Sequence, residues 1–172
     1  DFGEEFAPMI AVDSANSVAA DDTNSLRYGM RTNGKSGFVF VNHYQRLTEL
    51  ADIENAVISA GNVEFTPIDV KGEVSFFMPF NMKMGDSVLE YATAQPLCKC
   101  GETYFFAEIP NIKAEYKFSK GSANIVTVPF ENAKYMRKLN GTVYIGGGCN
   151  LYEENGQIHS VEDGEYICQK WN

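Results

Sequence analysis

Apolar and polar positions alternate with a period of two along most of this chain, and turn residues interrupt them every eight to twelve positions or so, the signature of short antiparallel strands. The clearest case is the stretch LRYGMRTNGKSGFVFVNHYQR, two apolar-rich runs separated by Asn33-Gly34. Asn-Gly between alternating runs predicts a two-residue hairpin turn with φ > 0 at both positions. That turn sets Arg31 opposite Ser36, Met30 opposite Gly37, Gly29 opposite Phe38 and Tyr28 opposite Val39. Alternation then gives the ribbon two faces. Leu26, Tyr28, Met30, Val39 and Val41 form a core face. Arg27, Arg31, Phe38 and Phe40 surround the bare backbone of Gly29 on the other. A turn longer by one residue would invert this assignment.

Before the hairpin, residues 1–10 predict the tail of a helix, with Phe2, Phe6 and Met9 on one face and acidic residues in the first turn. Ten residues cannot bury that face alone, so it should dock on something. Residues 13–25 are small, polar and acidic and predict a linker or surface loop. Residues 47–62 fit a short helix or a strand with a loop. Strands are expected over 63–70, 74–78 (ended or placed at an edge by Pro79), 88–98 with a break at Pro96, 103–109, 113–118 and 123–128. In 113–118, Ala114, Tyr116 and Phe118 should face inward. A helix is expected over 131–139, then strands over 142–145, 149–152 paired with 157–161, and 165–171. Gly146-Gly147-Gly148 reads as a bulge or turn. The whole predicts an all-β fold, an antiparallel β-sandwich or jelly roll with at most one or two short helices, organised as residues 1–25 ahead of a β-domain over 26–172 that could divide near 119.

Composition narrows the possibilities. The chain of 172 residues is 44% hydrophobic and carries a net charge of -9, which suits a packed core and disfavours nucleic acid or an anionic membrane as partner. No apolar run reaches the roughly 20 residues that span a bilayer. Cys98 and Cys100 fall on one face of a strand, a poor geometry for a disulfide, and no second Cys/His cluster supplies a metal site; free buried thiols and a reducing compartment are expected. No nucleophilic, phosphate-binding, metal or cofactor motif is present. Asn140-Gly141-Thr142 is a formal glycosylation sequon.

Two groups of residues invite function. Asn42, His43, Tyr44, Gln45 and Arg46 gather where the second hairpin strand ends. Such a polar-aromatic mix could grip a sugar or simply anchor a loop, with His43 as a hydrogen-bonded strand-end histidine. Arg27, Arg31, Phe38 and Phe40 form either a docking surface whose arginines meet carboxylates, such as Glu4 and Glu5, or an inner sandwich face with the arginines reaching its rim. Lys35 and Arg46 extend this basic island. Trp171 is either a stacking platform or an aromatic that packs on residues outside the chain.

Tyr28 to Asn42 (YGMRTNGKSGFVFVN) with Tyr44-Gln45-Arg46 resembles the segment just after the catalytic barrel in bacterial β-galactosidases of glycoside hydrolase family 35. Asp1-Phe2-Gly3-Glu4 with Ala7-Pro8-Met9 is similar to the last barrel helix of those enzymes, and Tyr91-Ala92-Thr93-Ala94-Gln95-Pro96-Leu97 resembles their following β-domain. Where the family often has a second asparagine after Asn42, this chain has His43. The resemblance covers residues 1–118 and implies a parent that removes terminal β-galactose with retention. Its two catalytic glutamates would precede Asp1, so no catalytic residue is carried over. On that basis the chain is expected to be a non-catalytic accessory domain partnered by the (β/α) barrel of its own parent, inactive alone and free of cofactors. The alternative is a carbohydrate-binding module.

Overall fold

The structure is a computed structural model that describes residues 2–13, 18–146, 150–161 and 168–171. In chain order its elements are α1 (Gly3–Phe6), β1 (Ile10–Asp13), β2 (Tyr28–Thr32), β3 (Gly37–His43), β4 (Ile53–Ala56), β5 (Ser59–Ala60), β6 (Val63–Glu64), β7 (Ile68–Val70), β8 (Val74–Met84) and β9 (Ser87–Ala92). There follow β10 (Gln95–Cys100), β11 (Thr103–Ala107), β12 (Tyr116–Lys120), β13 (Asn124–Val128), α2 (Phe130–Ala133), β14 (Arg137–Leu139), β15 (Thr142–Gly146), β16 (Leu151–Glu154), β17 (Gln157–Ser160) and β18 (Cys168–Trp171). The fold is all-β and sandwich-like, with two one-turn helices, as the alternation predicts.

A six-stranded antiparallel sheet, in the order β1-β2-β3-β8-β9-β12, carries the hairpin at its heart. One of its faces buries Val39, Val41, Phe76, Met78 and Phe80 against Ile58, Val63, Phe65, Ile68 and Val70 from the β4–β7 stretch. The residues at 47–62 are therefore loop and strand, not helix. Towards β9 and β12 the sheet packs Met82, Met84, Leu89 and Ala92 against Tyr104 and Phe106 of a second sheet, β10-β11-β13. The opposite face of that second sheet presents Phe105 and Val128 to Val143 and Ile145 of a third, β14-β15-β18. Tyr104, Phe105 and Phe106 are all buried because both faces of β11 are covered, the situation that turns alternation into a continuous apolar run. It is also where one pair runs parallel, β11 with β13, since the chain returns through β12 on the first sheet before coming back.

Several local expectations are corrected. Pro79 does not end its strand: β8 runs on to Met84 in the sheet interior. Phe77 donates its N–H to Gln95 Oε1 at 3.3 Å, so the odd positions of β8 turn their amides away from β3, and the β8–β9 ladder begins only at Phe80. Position 79 thus has no ladder bond to lose. Asn81, in the left-handed region at φ 49°, then separates Phe80 in the first core from Met82 in the second. Its amide donates to the Lys35 carbonyl at 3.0 Å, tying the kink to the hairpin loop.

Pro96 lies within edge strand β10 at a register shift, and the break falls at Thr93-Ala94 instead. The helix expected over 131–139 is one turn, after which Arg137–Leu139 pairs as β14; its Asn140-Gly141 turn has φ > 0 at both residues, as does Asn155-Gly156 between β16 and β17. The N-terminal helix is likewise one turn, and Ile10 already belongs to β1. Tyr116 and Phe118 face inward as expected. Trp171 packs edge-on against Phe105 at 5.4 Å within the chain itself. The Gly147-Gly148 break, Cys149 and residues 162–167 lie outside the described residues.

Candidate functional site

At the hairpin the two-residue turn is corrected to a four-residue connection. The register is Thr32 with Gly37, Arg31 with Phe38, Met30 with Val39, Gly29 with Phe40 and Tyr28 with Val41. Asn33 serves the loop through its side chain, Oδ1 accepting the N–H groups of Lys35 at 3.0 Å and Ser36 at 2.9 Å, and only Gly34 has positive φ. The shift is two residues, so parity is kept and both faces survive as read. Phe38 is buried, and Phe40, together with Phe77 of β8, is half-buried beside it: Phe40 and Phe77 stack at 5.6 Å. From α1, Phe6 lies over Phe38 with centroids 4.0 Å apart and 21° between planes. Phe2 and Met9 are buried as well, so the N-terminal segment docks on this chain's own sheet.

Within this chain the arginines of this face meet backbone carbonyls. Arg31 Nη2 donates to the Met9 carbonyl at 3.0 Å. Arg27 Nη2 donates to the Asp22 carbonyl at 2.7 Å and to those of Ala19 and Ala20 at 3.3 and 3.4 Å. The ion pairs among the described residues join Lys99–Glu102, Lys113–Glu115, Lys117–Glu90 and Lys134–Glu131, so neither Glu4 nor Glu5 answers an arginine. The exposed Asp22 carboxyl is held below its ordinary range by the Ser25 side chain and the Asn24 N–H, with Arg27 a minor contributor.

The second group sits at the far end of β3. Asn42 Oδ1 accepts from Ser75 Oγ at 2.8 Å, and Gln45 Nε2 donates to the Ala20 carbonyl at 3.0 Å and to Thr48 Oγ1 at 3.3 Å. These contacts anchor loops. The Ala20 carbonyl, shared by Arg27 and Gln45, links the two groups through the 19–22 loop. Arg46 is exposed at the tip of the tight turn closed by Thr48 N–H to the Gln45 carbonyl. His43 departs from expectation: it is 1% exposed, and neither ring nitrogen has a hydrogen-bond partner. Beside it Leu47 holds φ 61°, a region disfavoured for a branched side chain, while standing 95% exposed.

His43, half-exposed Tyr44, Gln45 and Leu47 line a cavity of about 540 Å³ whose rim carries the exposed carboxylates of Glu49, Asp52 and Glu73. Asp52 Oδ1 accepts the Gly72 N–H at 2.9 Å, bracing the rim. No local pattern in the sequence points to this grouping, because Glu73, just before β8, meets Glu49 and Asp52 of the β3–β4 connection through the β3–β8 pairing of His43 with Val74.

Other candidate chemistry is quiet. Cys98 and Cys100 are free and buried, and burial pushes the Cys98 thiol up to about 11, away from nucleophilic use. Among the described residues no three His, Cys, Asp or Glu side chains are grouped to hold a metal, and no helix is long and apolar enough to cross a membrane. Among the described residues the exposed aromatics do not share one surface: Tyr44 and Phe130 line different cavities, and Tyr152 stacks on His159 at 5.3 Å. Compared with known proteins, the chain matches no family model, no curated protein and no solved structure.

Proposed function

We propose that this chain is a non-catalytic accessory domain of a bacterial β-galactosidase-like glycoside hydrolase, resembling family 35, and that it docks through the aromatic face of the β2–β3 hairpin onto the catalytic barrel of its own parent. The observation that carries the reading is the stacking of Phe6 on Phe38 at 4.0 Å. The segment similar to the last barrel helix delivers that ring to the hairpin that carries the rest of the resemblance. One helical turn covers Phe38 and leaves Phe40 and Phe77 half-buried, an apolar surface for the remainder of a barrel to complete. The scattered exposed aromatics favour this support role over a carbohydrate-binding module with an aromatic-lined face. The parent's glutamates would do the chemistry, while the accessory domain would hold the barrel's last helix in place.

The test is an assay on aryl β-galactosides with the chain alone and with its full-length parent. The parent should turn over and the chain should not. Turnover by the chain alone, free of host enzyme, would overturn the reading.

A further inference from the structure

Three Asn-Gly pairs stand at exposed turns: Asn33-Gly34 between β2 and β3, Asn140-Gly141 between β14 and β15, and Asn155-Gly156 between β16 and β17. Asparagine before glycine is open to self-attack, because glycine has no side chain to shield its amide nitrogen from the asparagine carboxamide. As sequence the three pairs are equivalent. Their surroundings are not. At Asn33 both reacting groups are held: Oδ1 accepts the N–H groups of Lys35 at 3.0 Å and Ser36 at 2.9 Å, and the Gly34 N–H donates to Thr32 Oγ1 at 3.0 Å. At Asn155 the Gly156 N–H donates to Glu153 Oε1 at 2.6 Å, and a carboxylate beside a nitrogen opposes the loss of its proton. At Asn140 neither the carboxamide nor the Gly141 N–H has a hydrogen-bond partner among the described residues. Both residues of that turn have positive φ, 48° and 78°, and they lie outside the ladder that ends at Leu139 and Thr142. The Gly141 carbonyl, by contrast, is in use. It accepts the Cys100 thiol at 3.1 Å, tying the turn to the core that Cys100 shares with Val143 and Trp171.

We propose that Asn140 is a site of spontaneous deamidation, and that its conversion loosens the third sheet. The Gly141 nitrogen gives its proton to water or hydroxide and attacks Cγ of Asn140. The new N–C bond closes a succinimide ring, and the side-chain nitrogen takes up a proton and leaves as ammonia. Water then adds at one ring carbonyl or the other and opens the ring to aspartate or isoaspartate; nothing is oxidised or reduced. Either product adds a negative charge. Isoaspartate also routes the main chain through an extra carbon, and a two-residue turn so lengthened cannot keep both the Leu139–Thr142 pair and the Cys100–Gly141 bond.

The experiment ages the 172-residue chain at neutral pH and body temperature in heavy-oxygen water and follows each Asn-Gly pair by mass spectrometry. Trypsin isolates Asn33 between Arg31 and Lys35, and a glutamate-specific protease cutting at Glu153 and Glu154 separates Asn140 from Asn155. Asn140 should convert first, its product carrying the heavy oxygen. Asn33 should lag by about tenfold or more, because its hydrogen bonds must open before attack. Asn155 should lag by roughly threefold, and Glu153→Gln, an exposed change that keeps an acceptor without the charge, should remove most of that lag. In urea the three rates should converge. The converted fraction, separated on an anion exchanger by its added charge, should show red-shifted emission from Trp171, the single tryptophan, and faster reaction of Cys100 with a thiol reagent. Conversion of Asn33 or Asn155 ahead of Asn140, or equal rates at all three in the folded chain, would overturn the site. Converted protein with unchanged emission and thiol reactivity would overturn its effect on the third sheet.

Discussion

Gly37→Ala should cripple the hairpin, whereas Gly29→Ala, eight residues earlier on the partner strand, should be harmless. A Cβ on Gly37 would stand 2.2 Å from the Arg31 carbonyl oxygen and 2.8 and 2.9 Å from Cζ and Cε1 of Phe80. The ring belongs to the first core, and the carbonyl to the β2 backbone one pair away from the Thr32–Gly37 position, so neither can retreat without opening the ladder or the core. Overpacking of this kind costs about 1–3 kcal/mol, and losing one or two ladder hydrogen bonds adds about 1 kcal/mol each. A total of roughly 2–5 kcal/mol corresponds, for a chain of this length, to a melting temperature lower by roughly 4–20 °C. The nearest atom to a Cβ on Gly29 is the Val12 carbonyl oxygen at 3.8 Å, an ordinary contact. Alanine there should be neutral or stabilise by up to about 1 kcal/mol, because glycine in a strand carries an entropic cost. Circular dichroism melts of the two variants and the parent sequence make the comparison. A Gly37→Ala melting temperature equal to or above that of Gly29→Ala would refute the close-approach argument and the hairpin register with it.

Thr93 is fully buried; its Oγ1 donates to the Lys113 carbonyl at 2.7 Å and accepts the Glu115 N–H at 2.9 Å. Thr93→Val should therefore lower stability by about 2–4 kcal/mol in urea unfolding by stranding two backbone groups, and Thr93→Ser should restore most of it. For the Cys98 thiol, burial raises the folded value from 9.0 to about 11, so its stabilising contribution is full below about pH 9 and is lost as the pH rises from there through about 11. Melting temperatures followed across that window should fall more steeply for the native chain than for Cys98→Ala; parallel curves would show that the thiol does not titrate against folding.

The period of two carried most of the fold. It placed the core face of the hairpin, the inward Tyr116 and Phe118, and the all-β architecture, because burial on one face constrains every second residue wherever the strand sits. Turn chemistry was less transferable. Asn140-Gly141 and Asn155-Gly156 take the left-handed pair that the dipeptide favours, but Asn33 spends its side chain on two loop amides, and the connection grows to four residues. The face assignment survived only because that growth was even. Proline rules failed at Pro79 because the amide it lacks points where no ladder partner exists, which depends on strand order and not on local sequence. At the candidate site, Phe38 and Phe40 were legible as an unusual face, and the anchoring of Gln45 and Asn42 as loop chemistry. The unpartnered state of His43 and the approach of Glu73 to Glu49 and Asp52 were not, because both arise from the long-range pairing of β3 with β8.

The central claim, that the hairpin's aromatic face docks on a barrel in the same polypeptide, is tested most directly by scanning calorimetry of the full-length parent with and without Phe40→Ala combined with Phe77→Ala. Truncating two half-buried, mutually stacked rings at an interface removes about 2 kcal/mol or more of coupling. The native parent should show one cooperative transition and the variant two separated ones, with the barrel's peak near its original temperature. Two independent transitions already present in the native parent, or a single transition that persists in the variant, would contradict it.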